Sequence, residues 1–206
     1  MNNKLDIYNR EVLLKDSFNN FWCRIANSDV DLYSNLTDKD FIELKVAIKN
    51  INDILTYKTT IKFFDWIKEK FKIDLISYQE TMDIILATKP NTNGFDIRND
   101  KYKILAEIKC NLPLNNGNVF GRQQRYKMQQ DIESLLYGKK KLTDLNNMEY
   151  YKFLGIYSIG NTTDLATRKF LQSKDMKELH EKVEILSNPK NESLQLSKDK
   201  VYIVYI

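Results

Sequence analysis

The chain has 206 residues, 42% hydrophobic and 29% charged, the balance of a globular protein long enough to bury a sizeable core. Two cysteines (Cys23 and Cys110) cannot form a disulfide framework or a zinc site alone, and one histidine (His180) excludes multi-histidine metal chemistry; the expectation is that any metal is held by carboxylates, which select hard cations such as Mg2+. The net charge of +4 permits nucleic-acid binding without demanding it, and with no apolar secretion signal at Met1-Asn2-Asn3-Lys4 the expectation is a cytoplasmic protein.

The first third reads as helical. Phe18, Phe21, Trp22 and Ile25 recur at helical spacing. Thr37 or Asp38 can cap a helix whose stripe is Phe41, Leu44, Ile48, Ile51, Ile54 and Leu55, and Thr59 or Thr60 can start another through Ile61, Phe64, Ile67 and Phe71. The character changes near residue 73. Short apolar runs at 73–77 and 82–88 read as strands, a turn-rich loop covers 89–94, and Phe95-Asp96-Ile97-Arg98 alternates apolar and polar. Asn99-Asp100-Lys101 is a hairpin signal leading into a strand over 102–109, so 82–109 is expected to form a three-stranded antiparallel meander. An Asn/Gly-rich loop precedes a helix from about Phe120 to Tyr137, with Gly138 at its C-cap and Lys139-Lys140-Lys141 beyond, read as a solvated loop. A buried strand at 150–159, a helical stretch over 163–186 and a last strand at 201–206 follow. The expected fold class is α/β in a single domain: a helical N-terminal region (1–58), a core (59–160), and a C-terminal helix and strand (161–206).

The segment that carries chemistry is Gly94-Phe95-Asp96 … Ala106-Glu107-Ile108-Lys109. With the turn at Asp100-Lys101, Asp96 lies opposite Leu105 and Glu107 is its diagonal neighbour, roughly 7–8 Å away, a span two carboxylates can close around a cation. Period two puts Lys109 on the same face. Two carboxylates and an ammonium among Ile, Leu and Ala are costly to bury unless a divalent cation offsets the repulsion. The ammonium can then polarise water or stabilise a charged transition state.

Asp96 followed by Glu107-Ile108-Lys109 at the end of a hairpin strand resembles the PD-(D/E)xK nuclease superfamily, in particular type II restriction endonucleases, with Phe95 standing where the family often has proline. The expected helix–meander–helix–strand order over about 59–160 is also similar to that family's restriction-endonuclease-like core. The resemblance implies that Asp96 and Glu107 bind Mg2+ with the Ile108 carbonyl, and that Lys109 orients or activates the attacking water. It further implies hydrolysis of double-stranded DNA at a specific site, a homodimer, and a cognate methyltransferase encoded nearby. Many members add an acid from the helix before the meander. Glu69 is the candidate, with a solvated helix charge as its other reading, and Glu80 is disfavoured by distance. A polar residue on the following helix often lies beside the site, which singles out Gln124 or Lys127 to hold phosphate or water, while Arg122, Arg125 and Lys127 are candidates for DNA phosphates. Two alternatives stay open: a structure-specific repair or junction nuclease, and a non-catalytic nucleic-acid-binding domain.

Overall fold

The structure, a computed structural model, describes residues 7–88, 94–113, 118–186 and 195–206. The loop expected at 89–94, apart from Gly94, and part of the Asn/Gly-rich loop lie outside the described residues. The chain forms two compact units, Met1–Ile51 and Asn52–Ile206.

In the first unit, helix α1 (Ile7–Ala26) ends at Asn27, whose left-handed backbone (φ 49°) turns the Ser28 amide back onto the Cys23 carbonyl. Asp31 ties the connection down, pairing with Lys15 at 2.6 Å and accepting from Asn19 at 2.8 Å, and the Tyr33 ring meets Phe18 and Phe41 edge-on. Helix α2 (Asp38–Phe71) opens with Thr37 and Asp40 capping each other, as expected. The stripe expected to face a core does not: Ile48, Ile51 and Ile54 are exposed, and no residue from 9 to 51 is buried. The break expected at Thr59 and Thr60 is also missing. Their hydroxyls donate to the Leu55 and Thr56 carbonyls one turn back, so both residues are satisfied inside a continuous helix.

The second unit corrects the meander. Residues 73–77 and 82–88 form no strands; helix α3 (Leu75–Ala87) occupies them, started by Asp74, whose carboxylate accepts the Ser77 amide at 3.0 Å. Met82 and Ile85 are buried while Ile84 and Leu86 are exposed, a helical rather than an alternating pattern. Only a two-stranded hairpin remains, β1 (Ile97–Asn99) with β2 (Ile104–Lys109). The stretch expected to be helical over 163–186 is shorter: helix α5 (Asn161–Leu171) gives way to 3-10 turns and a strand, β4 (Val183–Ile185), rich in β-branched residues. Helix α4 (Arg122–Tyr137), β3 (Tyr151–Ile156) and β5 (Val201–Tyr205) lie where expected.

The fold is α/β. Its five-stranded sheet has the order β1-β2-β3-β5-β4, with β1 antiparallel to β2 and every other pair parallel. Even-numbered β2 residues Ile104, Ala106 and Ile108 pack with Phe63, Phe64 and Ile67 of α2 and Met82 and Ile85 of α3. On the opposite face Leu105 joins Met128, Ile132 and Leu135 of α4 and Ala166 and Phe170 of α5. Alternation along β2 thus decides which helix each side chain meets. No helix among the described residues is long and apolar enough to cross a membrane.

Candidate active site

Because Leu105 points to the α4 face, period two sends Glu107 and Lys109 there as well. The hairpin register pairs Ile97 with Ala106 and Asn99 with Ile104. Continued by one residue, it brings Asp96 opposite Glu107 rather than opposite Leu105. The expected register was shifted, but the shift preserves parity, so the shared face survives. Asp96 Oδ2 accepts the Ile108 amide at 2.7 Å, which locks the carboxylate against the strand. Lys103, just before β2, and Lys109 at its end offer their carbonyls to the Tyr151 and Tyr157 amides on the β3 side. Odd-numbered peptides therefore face β3, and the Ile108 peptide, carbonyl included, turns toward β1, the side on which Asp96 lies.

Helix α4 lies across this face and adds two groups. Asp131 Oδ2 meets Lys109 Nζ at 2.8 Å. At the end of the helix Gly138, with φ 95°, adopts a backbone that side chains rarely tolerate and directs Lys139 inward. Lys139 Nζ lies 2.6 Å from Glu107 Oε1, donates to the Gly94 carbonyl and sits 4.7 Å from the Phe95 ring centroid. The solvated-loop reading of Lys139 is corrected by this geometry; Lys140 and Lys141 are exposed as expected.

The electrostatics follow from burial. Glu107 is 4% exposed, and burial, reinforced by the Asp96 charge, pushes its carboxyl up to about 8 against the pull of Lys139. Burial alone would lower Lys109, but the Asp131 carboxylate 2.8 Å away outweighs it and holds the ammonium above its ordinary range. Lys109 is therefore a fixed positive charge rather than a base at neutral pH. Glu107 Oε1 and Asp131 Oδ2 are fully buried and touch their lysines without hydrogen-bond geometry.

Asp96, Glu107 and Lys109 are brought together, with Asp131 and Lys139 as unexpected neighbours. The other candidates stand apart. Glu69 is exposed on α2, the helix that covers the opposite face of the sheet. Gln124 serves the helix start: its Oε1 accepts the Gly121 amide at 2.8 Å and its Nε2 reaches the Leu112 carbonyl. Arg125 donates to the Phe120 carbonyl at 2.8 Å, and Arg122 and Lys127 are exposed.

Among the described residues no three His, Cys, Asp or Glu side chains group as a metal cluster. The smaller donor set of Asp96, Glu107 and the Ile108 carbonyl still fits a hard cation such as Mg2+, which binds through one or two carboxylates and keeps several waters. The all-oxygen chemistry of that set, two carboxylates and a carbonyl at the end of one hairpin, is the observation behind that fit. Compared with family models, curated proteins and solved structures, the chain has no match.

Proposed function

We propose that the protein is a Mg2+-dependent DNA endonuclease of the restriction type, built on a restriction-endonuclease-like core reduced to a two-stranded hairpin between helices. The observation that carries this reading is the convergence of Asp96, Glu107 and Lys109 on one sheet face at the end of that hairpin. Asp96, Glu107 and the Ile108 carbonyl hold the cation. When bound, Mg2+ lowers the pKa of the attacking water and offsets charge on the phosphate. Lys109, kept as an ammonium by Asp131, orients that water and stabilises the negative charge that builds on the phosphoryl oxygens. Exposed Arg122 and Lys127 on α4 contribute phosphate contacts that weaken with salt. One such site per chain cuts one strand, so cleavage of double-stranded DNA needs two copies, and a homodimer is part of the proposal.

The test is plasmid DNA incubated with the protein, with and without Mg2+. Discrete fragments that depend on Mg2+ are expected. Lys109→Ala should lower the rate by at least about 10²-fold while circular dichroism and melting show an intact fold. No cleavage under any divalent ion sinks the enzymatic reading, and a smear of unrelated fragments sinks site specificity.

A further inference from the structure

Lys139 is the side chain whose placement the proposed chemistry does not use. Its ammonium sits among three electron-rich partners: Glu107 Oε1 at 2.6 Å, the Gly94 carbonyl, and the Phe95 ring with its centroid at 4.7 Å. The partner it occupies is the carboxylate assigned to the cation. Its delivery is built into the fold. Asn147, 5% exposed, donates Nδ2 to the Ser134 and Leu135 carbonyls at 3.0 and 2.9 Å, clamping the last turn of α4. Gly138 follows with φ 95°, and a Cβ placed there would meet Asn147 Oδ1 at 3.6 Å. The clamp and the glycine together fix where Lys139 leaves the helix.

We propose that Lys139 is a tethered counter-ion that competes with the divalent cation for Glu107, so that loading the metal requires the ammonium to withdraw. The proposal rests on reading the Asp96–Glu107 pair as a metal centre. An ammonium 2.6 Å from Glu107 Oε1 repels a second cation on the same buried carboxylate, and a divalent ion outcompetes a single ammonium once its concentration is high enough. Room for withdrawal exists. Lys139 also borders an open cleft of about 790 Å3 between α4 and the 3-10 turn Lys174–Met176, lined by Glu133, Asp175 and Glu178 together with Lys140, Lys174 and Lys177, a mixed-charge wall open to solvent that can take the displaced ammonium. In the metal-free protein the lysine fills the space beside the buried Glu107 carboxyl; in the loaded protein it swings to the cleft wall.

The experiment is calorimetry of Mn2+ binding to the full chain in the absence of DNA. Lys139→Met keeps the aliphatic stem and removes the charge, and should bind Mn2+ at least about 10-fold more tightly than wild type. Lys139→Arg retains the charge and should stay within about twofold of wild type. Equal or weaker Mn2+ binding by folded Lys139→Met overturns the competition. Absence of Mn2+ binding in the wild type and both variants overturns the metal-centre reading beneath it, a separate result. If Lys139→Met fails to fold by circular dichroism, Lys139→Gln is judged by the same two criteria.

Discussion

Burial makes Glu107 a pH-dependent burden on the fold. Its carboxyl stands at about 8 in the native state against an ordinary value of 4.5, so between these limits the native protein holds a proton that the unfolded chain has released. Stability supplied by that protonated group is complete below about pH 4.5 and is lost as pH rises through 8. Without divalent ions, urea melts should show wild type losing on the order of a few kcal/mol across that window. Glu107→Gln, which stays neutral, should lose distinctly less, and parallel pH profiles for the two proteins would refute the assignment. Glu107 and Lys109 were legible in the sequence because strand period places them on one face, and Asp96 joined them because any odd-sum hairpin register keeps it on that face. Asp131 and Lys139 were not. Asp131 lies on a helix face already crowded with Gln124 and Lys127, and only the docking of α4 on β2 distinguishes it. Lys139 was masked by two lysines after it, and its inward direction depends on the Gly138 backbone and the Asn147 clamp, neither of which is visible in a lysine run.

The hairpin, α4, β3 and β5 were legible because each carries punctuation at its ends: Asn99-Asp100 at the turn and Gly138 at the helix stop, with apolar, β-rich runs at 150–159 and 201–206. Helix α3 was misread because an apolar run of six or seven residues serves a buried strand or a buried helix equally, and the deciding Asp74 cap lies eight residues before it. Long α2 was split because two threonines look like a start when their hydroxyls in fact bond backwards. The layers meet closely at Gly155 of β3, opposite Ile108. A Cβ there would lie 2.6 Å from Ile108 Cδ1 and 3.0 Å from the Phe63 ring, so α2 and the sheet must part or the side chains must leave their rotamers. Gly155→Ala should therefore cost about 1–3 kcal/mol, read as a lower urea midpoint with an unchanged slope. An unchanged midpoint would mean that Ile108 and Phe63 repack freely and that this face is looser than its zero exposure at Phe63 implies.

The two units differ in what holds them. From Asn52 onward the sheet is covered on both faces, and Phe63, Phe64, Ile67, Ile104, Phe153 and Ile203 are fully buried. Before it, α1 and the start of α2 carry exposed Val12, Leu13, Leu14, Ile25, Ile42 and Val46, and among the described residues 9–51 none is buried. Local opening costs little where few apolar contacts are lost, so protection should track this division within one continuous helix. Hydrogen exchange read by mass spectrometry should show amides of residues 40–50 exchanging much faster than those of 60–70, although both belong to α2, with β2 and β3 slowest of all. Uniform protection along α2 in dilute protein would contradict the link between protection and the lack of buried residues over 9–51. Protection that appears over 9–51 only as concentration rises would show instead that these apolar faces are covered by a second copy, the assembly that the proposed double-strand cleavage calls for.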